Sequence, residues 1–411
     1  MSKEQILIIA VKTYGSSKKR FQYSLEELIA LSETAGGNVK QVITQNRQRI
    51  HPSLYLGEGK LTETKRDVER LAIDLVIAND ELSPSQLRNL NDRLGVRIID
   101  RSQLILDIFA KRAKTKEGKL QVELAQLEYM LPRLRGYGSE LSRLGGGIGT
   151  RGPGETKLET DQRHIRNRIF EIKRRLKNVV QQRDQYRKRR RANKKFQIAI
   201  VGYTNAGKST LFNQLTKSES LAENQLFATL DPLTRMIQLP SGLQTLLTDT
   251  VGFIQDLPTT LIAAFRSTLE EVSEADFILH VVDGSHPDWE QHQKTVAELL
   301  EELDAHTIPM LTVYNKKDLI PHDFIGLTYP NVLISALDQA DIDKLLAKLE
   351  NVLIDEWDHY IIKLNPDEGK IMQQLTQETI IVDQYFDTAD NQYVVSGYIR
   401  KEHPLKGRLN K

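Results

Sequence analysis

Residues 196–209 read Phe-Gln-Ile-Ala-Ile-Val-Gly-Tyr-Thr-Asn-Ala-Gly-Lys-Ser. The apolar run 196–201 predicts a buried strand. The Gly-x-x-x-x-Gly-Lys-Ser pattern at 202–209 then turns a strand into a helix around a phosphate group. Backbone N–H groups across Gly202, Tyr203, Thr204, Asn205, Ala206 and Gly207 would curl around the anion. Lys208 would reach its outer oxygens, the Ser209 hydroxyl would ligate Mg²⁺, and Thr210 completes the nucleotide-binding run. The plain alternative is a Gly-rich turn that binds nothing, and four downstream signals argue against it.

Asp249-Thr250-Val251-Gly252 follows an apolar strand at 243–248. Its Asp suits a Mg²⁺ ligand and its Gly N–H a γ-phosphate sensor. Asn315-Lys316-Lys317-Asp318 ends a strand at 310–314. The Asp318 carboxylate matches guanine N1–H and N2–H₂ together, a donor pair that adenine lacks. Ser335-Ala336-Leu337 ends the next strand, where a backbone N–H would meet guanine O6. Between the first two motifs, Phe227-Ala228-Thr229-Leu230-Asp231 offers Thr229 as a switch threonine and metal ligand. In this order along one α/β domain, the five signals predict GTP binding and hydrolysis, with Lys208, Thr229 and Gly252 in catalytic roles.

Two departures bear on mechanism. The position after Gly252, which often holds a water-orienting Gln, is Phe253. A hydrocarbon ring cannot orient water, so slow intrinsic hydrolysis and an activating partner are expected. Asn205 is the second departure. It either caps the loop or, as in cation-activated GTPases that share this Asn, helps bind K⁺.

The 411 residues suggest several domains, 39% hydrophobic and 27% charged, as in soluble globular proteins. There is no cysteine, which excludes disulfides, thiolate catalysis and Cys-bound zinc or iron–sulfur clusters. No apolar run approaches the ~20 residues of a membrane span. A cytoplasmic protein, monomeric when free and not inserted in a membrane, is expected. The overall charge of +2 hides an asymmetry, because residues 163–195 carry fifteen Lys and Arg against two acids. One concentrated basic element on an acidic body points to a polyanionic partner.

Residues 1–113 alternate strand-like runs (6–11, 39–44, 74–78, 96–99) with helical patterns (24–35, 60–72, 84–94, 101–113), predicting a doubly wound parallel α/β domain. Residues 114–195 carry two heptad seams: Leu120, Leu124, Leu127, Leu131 and Leu134, then Ile165, Ile169, Ile172, Leu176 and Val179. These predict an antiparallel helical hairpin. Its connection holds eight glycines in residues 135–154. Either it is a flexible linker or it is a tip that orders against a partner. Arg133, Arg135, Arg143 and Arg151 lie in or beside it and suit nucleic acid. Residues 196–355 form the P-loop GTPase domain, and 356–411 a small α+β domain. Gly57-Glu58-Gly59-Lys60 reads as a glycine turn before a helix, with a second anion site as the alternative.

The stretch 145–155, GGGIGTRGPGE, together with GYTNAGKSTL, FATLDP and DTVGFI, resembles the HflX family of GTPases over most of the chain. The resemblance implies a partner in the large ribosomal subunit, including its rRNA, and a part in recycling, splitting or rescuing stalled ribosomes, as under stress. It also places Gly145, Gly146 and Gly147 at a tip reaching rRNA near the peptidyl-transferase centre. On the residues alone, Arg174, Arg175, Arg189, Arg190 and Arg191 join Arg135, Arg143 and Arg151 as candidate phosphate contacts, read by RNA shape rather than base stacking. A solvated basic helix is the alternative. Ribosome assembly, RNA chaperoning and tRNA modification remain competing functions, although no folate, methyl-donor or thiol site is visible.

Overall fold

The computed structural model describes residues 3–15, 17–134, 157–192, 195–217, 226–227, 229–254, 271–320, 324–401, 403 and 405–406. They fall into two compact units. One comprises Met1–Gln181 with Gln225–Leu230; the other is built from Gln182–Asn224, Asp231–Ile254 and Ser267–Lys411.

The first unit opens with β1 (Gln5–Thr13), α1 (Lys18–Thr34), β2 (Asn38–Arg47), α2 (Glu58–Arg70), β3 (Leu75–Ala78), α3 (Pro84–Leu94), β4 (Arg97–Asp100) and α4 (Arg101–Arg112). The strands are all parallel in the order β2-β1-β3-β4, as the helical crossovers require. The middle strands are apolar throughout because both faces are covered: Leu7, Ile8, Ile9, Val76 and Ile77 are fully buried. Local chemistry sets the helix ends. Ser83 and Gln86 form a reciprocal cap with Pro84 in the first turn of α3, and Gly95 closes that helix at φ +68°.

Helices α5 (Lys116–Leu134) and α6 (Lys157–Ala192) form the hairpin. Its seam is the predicted one, with Leu120, Leu124 and Ile172 buried and Leu127, Ile169 and Leu176 flanking them. Charges border it: Arg168 donates to both carboxylate oxygens of Glu123, and Lys173 pairs with Glu128 at 2.7 Å.

Arg133 departs from expectation. Instead of facing a nucleic-acid partner, it is folded inward. One guanidinium nitrogen donates to Asp100 at 3.2 Å, to Glu81 at 3.3 Å and to the Leu82 carbonyl at 2.9 Å. The guanidinium also lies over the Tyr129 ring, 3.4 Å from its centre. The reason is Asp100, a fully buried carboxylate that requires a counter-charge.

The second unit holds β5 (Phe196–Gly202), α7 (Lys208–Thr216), β6 (Leu233–Gln238), β7 (Gln244–Asp249), β8 (Phe277–Asp283), α8 (Trp289–Glu302), β9 (Met310–Asn315), β10 (Asn331–Leu333) and α9 (Gln339–Glu356). Its sheet runs β10-β9-β8-β5-β7-β6, parallel except for β6. The chain continues through β11 (Asp358–Leu364), α10 (Gly369–Glu378), β12 (Ile380–Asp387) and β13 (Gln392–Ile399), an antiparallel sheet ordered β11-β13-β12. This last part braces the larger sheet. Ile380 enters its core, Trp357 meets Phe196 edge-on at 5.4 Å, and Arg400 reaches Asp276 at 3.4 Å.

Replacing Arg133 by Ala strands the Asp100 charge and is expected to lower unfolding free energy by about 3 kcal/mol. Urea unfolding measures this. A loss under ~1 kcal/mol would mean that the N–H groups of Leu82 and Gln103, which also donate to Asp100, satisfy it alone.

Candidate active site

Strand β5 is the point where the sheet's connections part, to β7 and β6 on one side and to β8, β9 and β10 on the other. A crevice forms at the carboxyl end of such a strand, and residues 202–209 occupy it. Gly207 begins α7 at φ +93°, and a Cβ there would lie 2.2 Å from the Asn315 amide nitrogen. Only glycine fits that conformation and that approach.

Lys208 is buried at the loop's centre, its ammonium donating to the Tyr203 carbonyl at 2.7 Å. Burial lowers its pKa to about 8, with the Asp249 carboxylate pulling the other way. Gly252 lies directly against it, since a Cβ on Gly252 would be 2.9 Å from both the Lys208 ammonium and the Thr204 methyl. The two catalytic candidates therefore share one small space.

The Ser209 hydroxyl donates to Asp249 at 2.9 Å, and Asp249 is 2% exposed. A hydroxyl and a carboxylate side by side beneath a phosphate loop fit Mg²⁺, which takes hard oxygen donors and completes its shell with phosphate and water. Thr250 and Val251 play a different part. The Thr250 hydroxyl donates to the Ile200 carbonyl at 2.7 Å, anchoring the segment to the sheet, and Val251 is buried. Phe253 is 2% exposed and is bridged to Tyr203: its N–H donates to the Gly202 carbonyl at 3.1 Å, and its own carbonyl accepts from Thr204 at 2.7 Å. The residue in the water-orienting position is thus locked into the protein.

Asn315 joins the two ends of the site. Its amide nitrogen donates to the Ala206 carbonyl at 2.9 Å, and its oxygen accepts the Ala336 N–H at 2.9 Å. Asp318 is exposed and accepts from the Ser335 hydroxyl at 2.7 Å, which orients one carboxylate oxygen. Lys316, at φ +64°, donates to Asp283 at 2.6 Å, and Lys317 donates to both oxygens of Asp341 at 2.9 and 3.1 Å. Asp341 also accepts the Ser335 N–H. Leu337 stands exposed beside them. Asp283 and Asp341 escaped the sequence reading because their partners lie 33 and 24 residues away. The only local hint was that Asp283 precedes Gly284 at a strand end.

The remaining candidates are scattered. Phe227 is buried at φ +56°, and its ring meets Phe109 edge-on at 4.6 Å; with Thr229 and Leu230 it belongs to the first unit. Asp231 begins the next segment of the second unit, and Asn205 is exposed at φ +61°. Arg174 is exposed on α6, and Arg175 is exposed but paired with Glu171. Ala228, Arg135, Arg143, Gly145, Gly146, Gly147 and Arg151 lie outside the described residues, as do the side chains of Arg189, Arg190 and Arg191. At Gly57 the bland reading gains support: its N–H donates to Gln45 at 2.8 Å as it begins α2, and Lys60 pairs with Glu63 at 2.8 Å.

Family models agree with this site. Residues 197–316 match a family described as 50S ribosome-binding GTPase. Residues 22–110 and 112–190 match the N-terminal and middle regions of a GTP-binding GTPase family. The chain is 52% identical over 407 residues to a GTPase HflX of Alkalihalophilus pseudofirmus, covering 99% of this chain and 96% of the relative. It is 43% identical over 386 residues to the GTPase HflX of Escherichia coli, covering 92% and 90%. Among solved structures, a complex of the protein SsGBP with GDP aligns with a TM-score of 0.50 at 25% identity, over 85% of this chain and 98% of that one.

Two measurements test the geometry. Because Lys208 is partly neutral above pH 8 in the free protein and a phosphate favours its ammonium form, GDP binding should take up protons. Uptake should grow from a small fraction at pH 7.5 toward most of one proton at pH 9. Calorimetry in two buffers of different ionisation heat reads it, and pH-independent uptake would place Lys208 elsewhere. Asp318→Asn should weaken GTP binding at least about 100-fold and gain xanthosine triphosphate, read by nucleotide competition. Unchanged GTP affinity would remove Asp318 from base recognition.

Proposed function

The chain belongs to the HflX family of GTPases, and we propose that within it this protein is a GTP-driven factor of the large ribosomal subunit, acting when ribosomes are recycled, split or rescued. One observation carries the reading: the site is complete for holding GTP and incomplete for hydrolysing it. The phosphate loop, the Asn315–Asp318 and Ser335 segments and the metal-ligand candidates Ser209 and Asp249 stand together in the second unit, yet Phe253 occupies the water-orienting position and is tied by its backbone to Gly202 and Thr204. An outside group must therefore orient the water or move the segment.

The chemistry divides accordingly. Lys208 neutralises charge on the outer phosphates, the Gly252 N–H registers the γ-phosphate, and Asp318 selects guanine. Ser209 and Asp249 would hold Mg²⁺, which would supply charge neutralisation at the phosphates. Asn205, exposed at the crown of the loop, would help bind K⁺, which would offset charge in the manner of an arginine finger.

A ribosomal partner is supported by the family description over 197–316 and by the charge on α6. There Arg166, Arg174 and Lys177 are exposed, while Arg168, Lys173 and Arg175 have acidic partners within the hairpin. The exposed set contributes phosphate contacts, and the paired set maintains the hairpin. The Gly-rich segment at 145–147 and its arginines extend the rRNA contact in this reading. No described helix is long and apolar enough to cross a membrane, and a cytoplasmic location accords with a ribosomal partner.

The test is the GTP hydrolysis rate in K⁺ and in Na⁺, with and without purified large subunits. Stimulation of about 100-fold or more by the subunit, reduced in Na⁺, is the expected result. Absence of stimulation while GTP still binds would refute the ribosome as activator. Equal rates in the two salts would remove the K⁺ role of Asn205.

A further inference from the structure

Tyr203 is one of the four loop residues whose side chains the Gly-x-x-x-x-Gly-Lys-Ser pattern leaves open. It is 5% exposed, and its ring lies flat against His292 of α8, with centroids 3.8 Å apart and planes within 5°. His292 is in turn 4.3 Å from the ring of His286. Three rings in contact beside the phosphate loop have no place in the site as described so far.

The backbone of Tyr203 explains why its ring matters. Its carbonyl accepts the Lys208 ammonium at 2.7 Å and the Ala206 N–H at 3.3 Å. The same residue forms the bridge to Phe253, so its peptide planes orient the loop's central cation and the segment carrying Gly252. The side chain leaves the backbone between those peptides. Holding the ring fixes the peptides, and releasing it lets them rotate.

His292 is itself fixed. Trp289, three residues earlier on the same face of α8, meets Tyr314 edge-on at 5.5 Å, one residue before Asn315. His286 accepts the Asp288 N–H at 3.1 Å, and its backbone N–H donates to the carbonyl of Asp283, the residue that binds Lys316. The first turns of α8 are therefore pinned to the base-recognition strand and press a ring onto the phosphate loop.

We infer that His292 is a positioning residue of the GTPase site, clamping the Tyr203 ring so that the Tyr203 carbonyl stays under Lys208 and the bridge to Phe253 stays closed. Burial, with the neighbouring His286, pushes the His292 pKa down to about 3, so the ring is neutral at working pH and adds no charge beside Lys208. The ring's flat face performs the function, and the inference holds whether or not the ribosome is the activator.

The experiment uses the full chain and mant-GDP. His292→Leu and His292→Gln remove the ring; His292→Phe keeps it. The ring-less variants should release mant-GDP about three- to tenfold faster, the range expected for losing one aromatic pair. Their KM for GTP should rise in the same proportion. His292→Phe should restore release to near the wild-type rate. The inference is overturned if the folded ring-less variants release GDP at the wild-type rate, or if His292→Phe releases it as fast as they do.

Discussion

The side-chain amide of Asn315 is the constraint on which the nucleotide site depends. It faces two ways at once, giving a hydrogen bond to the Ala206 carbonyl and taking one from the Ala336 N–H. Both bonds are buried, where an amide's donor and acceptor are each costly to leave unmade. A carboxylate in its place would lack the donor and an amine the acceptor. Because the loop approaches this amide so closely, residue 207 has no room for a side chain. The phosphate and base ends thus share one anchor and keep their spacing when the site is empty.

Around that anchor, charge is arranged to be useful only when nucleotide arrives. Lys208 is held by a neutral carbonyl, with Asp249 a more distant influence, and burial lowers its affinity for a proton. Such a cation gains more from an incoming phosphate than a solvated lysine would, because its desolvation cost is already met in the fold. Lys316 and Lys317 are each paired with a carboxylate, Asp283 and Asp341, so they stiffen the loop and leave Asp318 exposed, bonded to the Ser335 hydroxyl. Phe253 contributes packing and backbone bonds at the position where a GTPase often has a polar, water-orienting side chain.

The basic character of the chain also separates into parts once partners are visible. Arg133 serves a buried carboxylate, Arg168 and Lys173 fasten the two hairpin helices, and Arg174 faces outward. Composition counts these residues alike. Their environments differ, because Asp100 is a buried strand-end carboxylate that Arg133 of α5 reaches, while Glu123 and Glu128 of α5 lie along the seam opposite α6.

Much of this molecule is written locally. Strand and helix alternation gives parallel sheets because a crossover needs a covering helix; heptads give the hairpin because a two-residue difference in spacing would break its seam; and the order of the GTPase motifs fixes which loops meet at the carboxyl end of β5. Glycine, lysine, serine and aspartate at 202–209, 249–252 and 315–318 stand out as candidates in the sequence because phosphate, Mg²⁺ and guanine each demand a particular donor set. What the sequence left undetermined were pairings between residues distant in the chain. Lys316 with Asp283, Lys317 with Asp341, Arg133 with Asp100 and Tyr203 with His292 follow no spacing, and only the packing of α5 on α3 and α4, and of α8 and α9 on their sheet, brings them within reach. Local chemistry names what a residue can bind; tertiary structure decides which partner is close enough, and desolvated enough, to be bound.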